Sequence, residues 1–223
     1  MIPGDVGWLL TWGTLVGVDL ASFPQVMIAR PLVAGTVAGA IVGDPASGLA
    51  VGAVLELFAL EVMPVGAARY PDYGPAAVAG AALAAGTEGL YGVGLAVAVG
   101  MLVAFVGDFT IHLMRWFTTA SVRRRVVPLD QGNPVAIAEI QRQGLARDAV
   151  RSFGLTAFGL LVAWGARFSP PLGDTGTQLL DVVIIGAALA SATTGALRLA
   201  GGGPAVKWLG LGLALGVGLI LLR

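Results

Sequence analysis

The sequence predicts an all-α, polytopic membrane protein, a helical bundle containing re-entrant or broken helices. Three observations carry this. The 223 residues are 57% hydrophobic and 12% charged, with a mean hydropathy of +0.86, whereas a soluble domain carries about 25% charged residues. The apolar runs are continuous and rich in Ala, Gly and Leu, without the period-two alternation of membrane β-strands. Finally, ionisable residues and backbone breakers interrupt those runs where a simple spanning helix would carry none.

Taken in order, apolar segments lie at 6–18, 32–42, 49–65, 76–106, 153–166, 182–197 and 209–222. A full crossing needs about 20 apolar residues. Only 76–106 exceeds that comfortably, and Glu88 after Gly86-Thr87 leaves two readings, one long tilted helix or two pieces broken there. Residues 31–43 make about 20 Å of helix, too short to cross, which predicts a half-spanning segment. Asp44-Pro45 reads as a tight turn in which Asp44 caps the next helix, so that the two pieces form a hairpin inside the membrane. Gly35, Gly39 and Gly43 recur every four residues, as do Gly48 and Gly52, giving each piece a small face for close helix contact.

Three regions follow: 1–110, a membrane region holding the re-entrant motif and the substrate site; 111–151, a cytoplasmic amphipathic loop; and 152–223, C-terminal membrane helices. Seven of the thirteen basic residues, Arg115, Arg123, Arg124, Arg125, Arg142, Arg147 and Arg151, fall between the fourth and fifth apolar segments, and basic loops stay cytoplasmic. Within that loop, 134–150 reads equally as an amphipathic helix at the interface or a solvated linker helix. Trp8 and Trp12 are placed in an interfacial belt. The first apolar run lacks a basic stretch before it, so no cleaved signal peptide is expected. Without cysteine, disulfides and thiolate metal sites are excluded, and neither a cofactor nor a metal is expected. The single histidine, His112, is read as structural or interfacial, since no base-and-orienter pair surrounds it. Zero net charge and a pI near 6.6 leave no footprint for nucleic acid.

The chemistry concentrates in the broken region. Glu56 lies four residues beyond Gly52, on the same helix face, and so points into the protein. Glu61 lies five residues further, about 140° around the helix, and is assigned a different task, facing a partner subunit or a cavity mouth. Arg30 either snorkels to the interface or approaches a solute. Asp72 sits in a Pro-Gly loop that favours an Asx-turn. Gln25 either bonds hydroxyls or satisfies backbone beside Pro24. A polar solute is the natural occupant, and carboxylates and carboxamides exchange hydrogen bonds with hydroxyls at fixed geometry, which a sugar offers.

Arg30-Pro31-Leu32, Gly43-Asp44, the run Leu55-Glu56-Leu57-Phe58-Ala59-Leu60, and Gly66-Ala67-Ala68 followed by Pro71-Asp72 resemble subunit IIC of the mannose-type (mannose/fructose/sorbose) sugar phosphotransferase permeases. The match in order and spacing covers roughly residues 10–110, and Gly132-Asn133 occurs in a polar loop where that family also has one. The resemblance implies a multi-pass protein of the bacterial inner membrane that works in an oligomeric complex. A IID subunit would share the sugar pathway, while cytoplasmic IIA and IIB domains carry out phosphoryl transfer, so the chain itself is a transport subunit and not an enzyme. The candidate substrate-binding residues are Glu56, Gln25, Arg30, Asp72 and Asp19, with Asp44 and Pro45 as turn and cap. Departures from the family pattern, Pro24-Gln25, Glu61, Pro64-Val65 and Arg69-Tyr70, fall around the expected site and point away from mannose toward another hexose or an amino sugar. Two further readings fit the same residues: a non-transporting scaffold or regulator of the same fold, and an ion-coupled secondary transporter in which Glu56 or Glu61 titrates.

Overall fold

The computed structural model describes residues 3–62, 69–85, 92–170, 172–199 and 203–221, and among them all regular structure is helical. Helix α1 (Pro3–Ala21) leads through an irregular loop into α2 (Pro31–Ile41) and α3 (Pro45–Ala59). These two form the expected hairpin. Gly43 at φ +84° supplies the left-handed residue that ends α2. The Asp44 carboxylate accepts the Ser47 amide at 3.0 Å, and Pro45 occupies the first turn of α3. The glycine faces meet directly, since a Cβ on Gly35 would lie 2.7 Å from the Gly48 carbonyl oxygen and one on Gly52 2.5 Å from that of Pro31. With 11 and 15 residues, the helices are about 16 and 22 Å long, and neither crosses a bilayer alone.

The hairpin packs on α4 (Tyr73–Ala84), a rod of Ala and Gly whose every residue from Gly74 to Ala84 is buried. Small side chains let α1, α2, α3, α5 and α7 all reach it. The segment expected at 76–106 is two pieces, α4 and α5 (Gly92–Arg123). Their facing ends are satisfied from outside the segment. Arg167 donates to the Ala82 and Ala85 carbonyls at 2.7 and 3.2 Å, and the Asp181 carboxylate accepts the Gly94 amide at 2.5 Å. Glu88, like Pro64-Val65 and Gly66-Ala67-Ala68, lies outside the described residues.

After the short α6 (Val126–Asp130), α7 (Pro134–Ala166) runs unbroken for 33 residues from its Asn133 cap. The stretch 134–150 and the apolar segment 153–166 are therefore one helix, and the boundaries at 110/111 and 151/152 fall inside α5 and α7. Near the junction the polarity is inverted: Asp148 is buried while Val150 is exposed. Helices α5, α7 and α8 (Asp174–Leu199) are long and apolar enough to cross a membrane. The described side chains of α9 (Gly203–Leu221) remain largely exposed although apolar.

Candidate functional site

A cavity of about 340 Å³ opens where α1 ends, between the loop after it and the segment before α4. Asp19 and Leu20 of α1, Gln25, Met27, Ala29 and Arg30 of the loop, Ala59 and Val62 at the end of α3, and Tyr70, Pro71 and Tyr73 line it. The loop owes its shape to Asp19, which is 2% exposed and accepts the Val26 amide at 2.7 Å and the Ala29 amide at 3.1 Å. Gln25 and Met27 are held in the left-handed region at φ 59° and 69°. Such backbone costs about 1–3 kcal/mol per residue and persists only where the surroundings impose it. Both residues line the cavity.

Arg30 precedes α2 at the cavity edge, its Nη1 3.1 Å from Oε1 of Glu56. The other carboxylate oxygen, Oε2, accepts the Leu32 amide at 3.3 Å. The spacing from Gly52 thus places Glu56 on the α2-facing side, where its negative charge complements the helix N-terminus. Glu56 does not line the cavity; it holds Arg30, which does.

Glu61 points elsewhere, as the 140° rotation requires. The Ser191 hydroxyl donates to it at 2.6 Å and Arg198 lies at 3.7 Å. Within the chain Glu61 contacts α8, which Gly195 permits by letting α8 lie against the Leu60-Glu61 backbone.

Asp72 stands behind the cavity wall, between Pro71 and Tyr73, and is fully buried. As the residue before α4, Asp72 makes no side-chain capping hydrogen bond. Instead Oδ2 accepts Arg151 Nη1 at 2.7 Å, while Arg151 Nε donates to Asp148 Oδ1 at 2.8 Å. The Ser22 hydroxyl donates to Asp148 Oδ2 at 2.5 Å, and Arg151 Nη2 reaches the Gly17 carbonyl at 3.2 Å. The Arg151–Asp148 pair therefore fastens α1, the start of the 22–30 loop and the 70–73 segment to α7. Asp148 and Arg151 escaped sequence reasoning, which counted Arg151 as an orientation signal. An acid and an arginine three residues apart at the mouth of an apolar run were the available clue.

Tyr70, in the irregular stretch before α4, lies under the Arg115 guanidinium, 5.6 Å from the ring centroid. Burial pushes its phenol above the usual range and the Arg115 charge opposes this, so the hydroxyl keeps its proton. The Gln25 carboxamide makes no hydrogen bond among the described residues. The cavity thus combines aromatic walls, the Gln25 carboxamide, the Asp19 carboxylate bound by two backbone amides, and one guanidinium whose charge is balanced by Glu56, a lining suited to a polyhydroxyl solute.

The sequence-family profile described as the PTS system sorbose-specific IIC component matches residues 7–167. This chain belongs to that family. The matched stretch contains all five candidate binding residues and the whole of α7 up to its last residue. The IIC chain is 33% identical over 122 residues to the mannose-specific EIIC component of Escherichia coli K12, covering 55% of this chain and 45% of that one. It is 30% identical over 167 residues to the fructose permease IIC component of Bacillus subtilis 168, covering 72% and 61%. This IIC component spans about half the length of such relatives. A solved chain of the mannose transporter ManYZ in complex with microcin E492 superposes with a TM-score of 0.63 at 22% identity, over 97% of this chain and 87% of that one. That likeness shows a shared all-helical fold.

Proposed function

We propose that this IIC component is the sugar-translocating permease subunit of a phosphoenolpyruvate-dependent phosphotransferase system of the bacterial inner membrane, one that takes up a hexose or an amino sugar and presents it to a phosphorylating IIB partner. IID is the membrane subunit that completes the pathway, and IIA and IIB supply the phosphoryl group. In this reading Gln25 and Arg30 contact sugar hydroxyls directly, the Tyr70 and Tyr73 rings flank the pyranose, and Asp19 sets the loop that carries Gln25. Glu56 acts through Arg30, and Asp72 acts by fixing the 70–73 wall. The α2–α3 hairpin, half-spanning and packed on the smooth Ala/Gly surface of α4, is the element that moves against a scaffold formed by the longer helices.

The observation carrying this proposal is the cavity itself, built from the short-helix region and bringing Asp19, Gln25 and Arg30 together at one opening. Sugar binding to the purified complex tests it. Glu56→Gln keeps an acceptor for the Leu32 amide but releases Arg30, so affinity falls while the complex stays assembled; unchanged affinity would remove Glu56 and Arg30 from the site.

A further inference from the structure

A second cavity, about 580 Å³, lies on the outer surface between α5 and α7. Val106, Leu113 and Phe117 form one wall, Val150, Gly154 and Phe158 the other, and Arg147 stands at one end. From Phe117 back to Val106 the groove follows twelve residues of α5, about 16 Å of helix, which is close to half of a ~30 Å hydrocarbon core. The depth of Arg147 is set independently. It is separated by about 26 Å of helix from Trp164, which is 56% exposed near the other end of α7, so the two residues sit at opposite interfaces.

Arg147 is also the guanidinium of the basic end whose charge faces this groove. Its Nη2 donates to the Ser121 hydroxyl at 2.8 Å and to Gln143 Oε1 at 3.4 Å, both neutral groups, and no carboxylate pairs with it among the described residues. Arg151, the other arginine of the lining, is committed to Asp72 and Asp148. An apolar trough one leaflet deep, closed at headgroup level by an unneutralised and preoriented guanidinium, matches an acyl chain below a phosphate. We propose that the α5–α7 groove is a binding site for one anionic phospholipid, with its phosphate on Arg147 and one chain along Gly154. This site is independent of the sugar cavity.

Native mass spectrometry of the detergent-purified protein, titrated with phosphatidylglycerol and with phosphatidylcholine, tests the assignment. One phosphatidylglycerol should bind in preference to phosphatidylcholine, and Arg147→Gln should reduce that binding about fivefold, the effect expected of one basic residue at a membrane surface. Gly154→Leu, at a position where an added Cβ meets nothing within 4 Å, should fill the trough and lower binding of both lipids without unfolding the protein. Arg124→Gln, exposed and outside the groove, should change neither. Equal phosphatidylglycerol binding by the parent, Arg147→Gln and Gly154→Leu proteins would overturn the site. So would crosslinking of Val150→Cys to a IID subunit that leaves no lipid bound.

Discussion

Arg151 reaches Asp72 across 79 residues of sequence, Nη1 to Oδ2 at 2.7 Å, with both side chains buried. The same guanidinium serves Asp148, so one positive charge offsets two buried carboxylates. Removing it strands both. Arg151→Gln is expected to cost about 3–5 kcal/mol, the penalty of an uncompensated buried ion pair, and to lower the thermal unfolding midpoint in detergent sharply. Asp72→Asn, which leaves the Arg151–Asp148 bond in place, should cost less. Equal midpoints for the two variants would mean that Arg151 is not the centre of the cluster.

Close approach of α2 and α3 makes the glycine face intolerant of a methyl group. A Cβ on Gly48 would collide with the Gly35 carbonyl oxygen and crowd Gly39. Gly48→Ala should therefore destabilise by about 1–3 kcal/mol, the range for overpacking. Gly144→Ala, inside α7 with nothing within 4 Å of the new atom, should gain up to about 1 kcal/mol from helix propensity. The opposite signs separate hairpin packing from a general effect of alanine.

At the hairpin turn, Asp44 satisfies one of the unpaired amides that begin α3. Asp44→Ala should cost about 1 kcal/mol, as loss of a side-chain cap does. Asp44→Asn should recover most of it. Sugar affinity measured on Asp44→Asn should match the parent, since Asp44 lies outside the cavity lining.

Gln25 allows stability and binding to be pulled apart. Its backbone is at φ 59°, a conformation that glycine adopts without the cost of about 1–2 kcal/mol borne by other residues. Gln25→Gly should raise the unfolding midpoint or leave it unchanged, while removing the carboxamide weakens sugar binding. A variant that binds as tightly as the parent would exclude Gln25 from direct contact.

The hairpin was legible in the sequence because its signals are local. Glycines at fixed spacing, an apolar run too short to cross and Asp-Pro at its end each constrain a few neighbouring residues, and the direction of Glu56 followed from Gly52 by helix geometry alone. What the site needed from a distance was not legible. Arg151 resembled any basic residue flanking a membrane segment until folding set it against Asp72, and Asp19 showed no sign that both its oxygens would hold the loop. Hydropathy also divided α7 at its polar residues, although Asp148 and Arg151 are polar because they pair inside the bundle. Glu61 was correctly separated from Glu56, yet its partner Ser191 lies 130 residues further along the chain, beyond any local pattern.

The most direct test of the central claim is phosphoenolpyruvate-dependent sugar phosphorylation in membrane vesicles containing this chain with its IID, IIA and IIB partners, across a panel of hexoses and amino sugars. The account predicts phosphorylated product from at least one sugar, lost when this chain is omitted and reduced in Glu56→Gln and Gln25→Gly while the complex remains intact. No phosphorylated sugar from the whole panel with the complex intact, or uptake that collapses with the proton gradient and proceeds without phosphorylation, would contradict it.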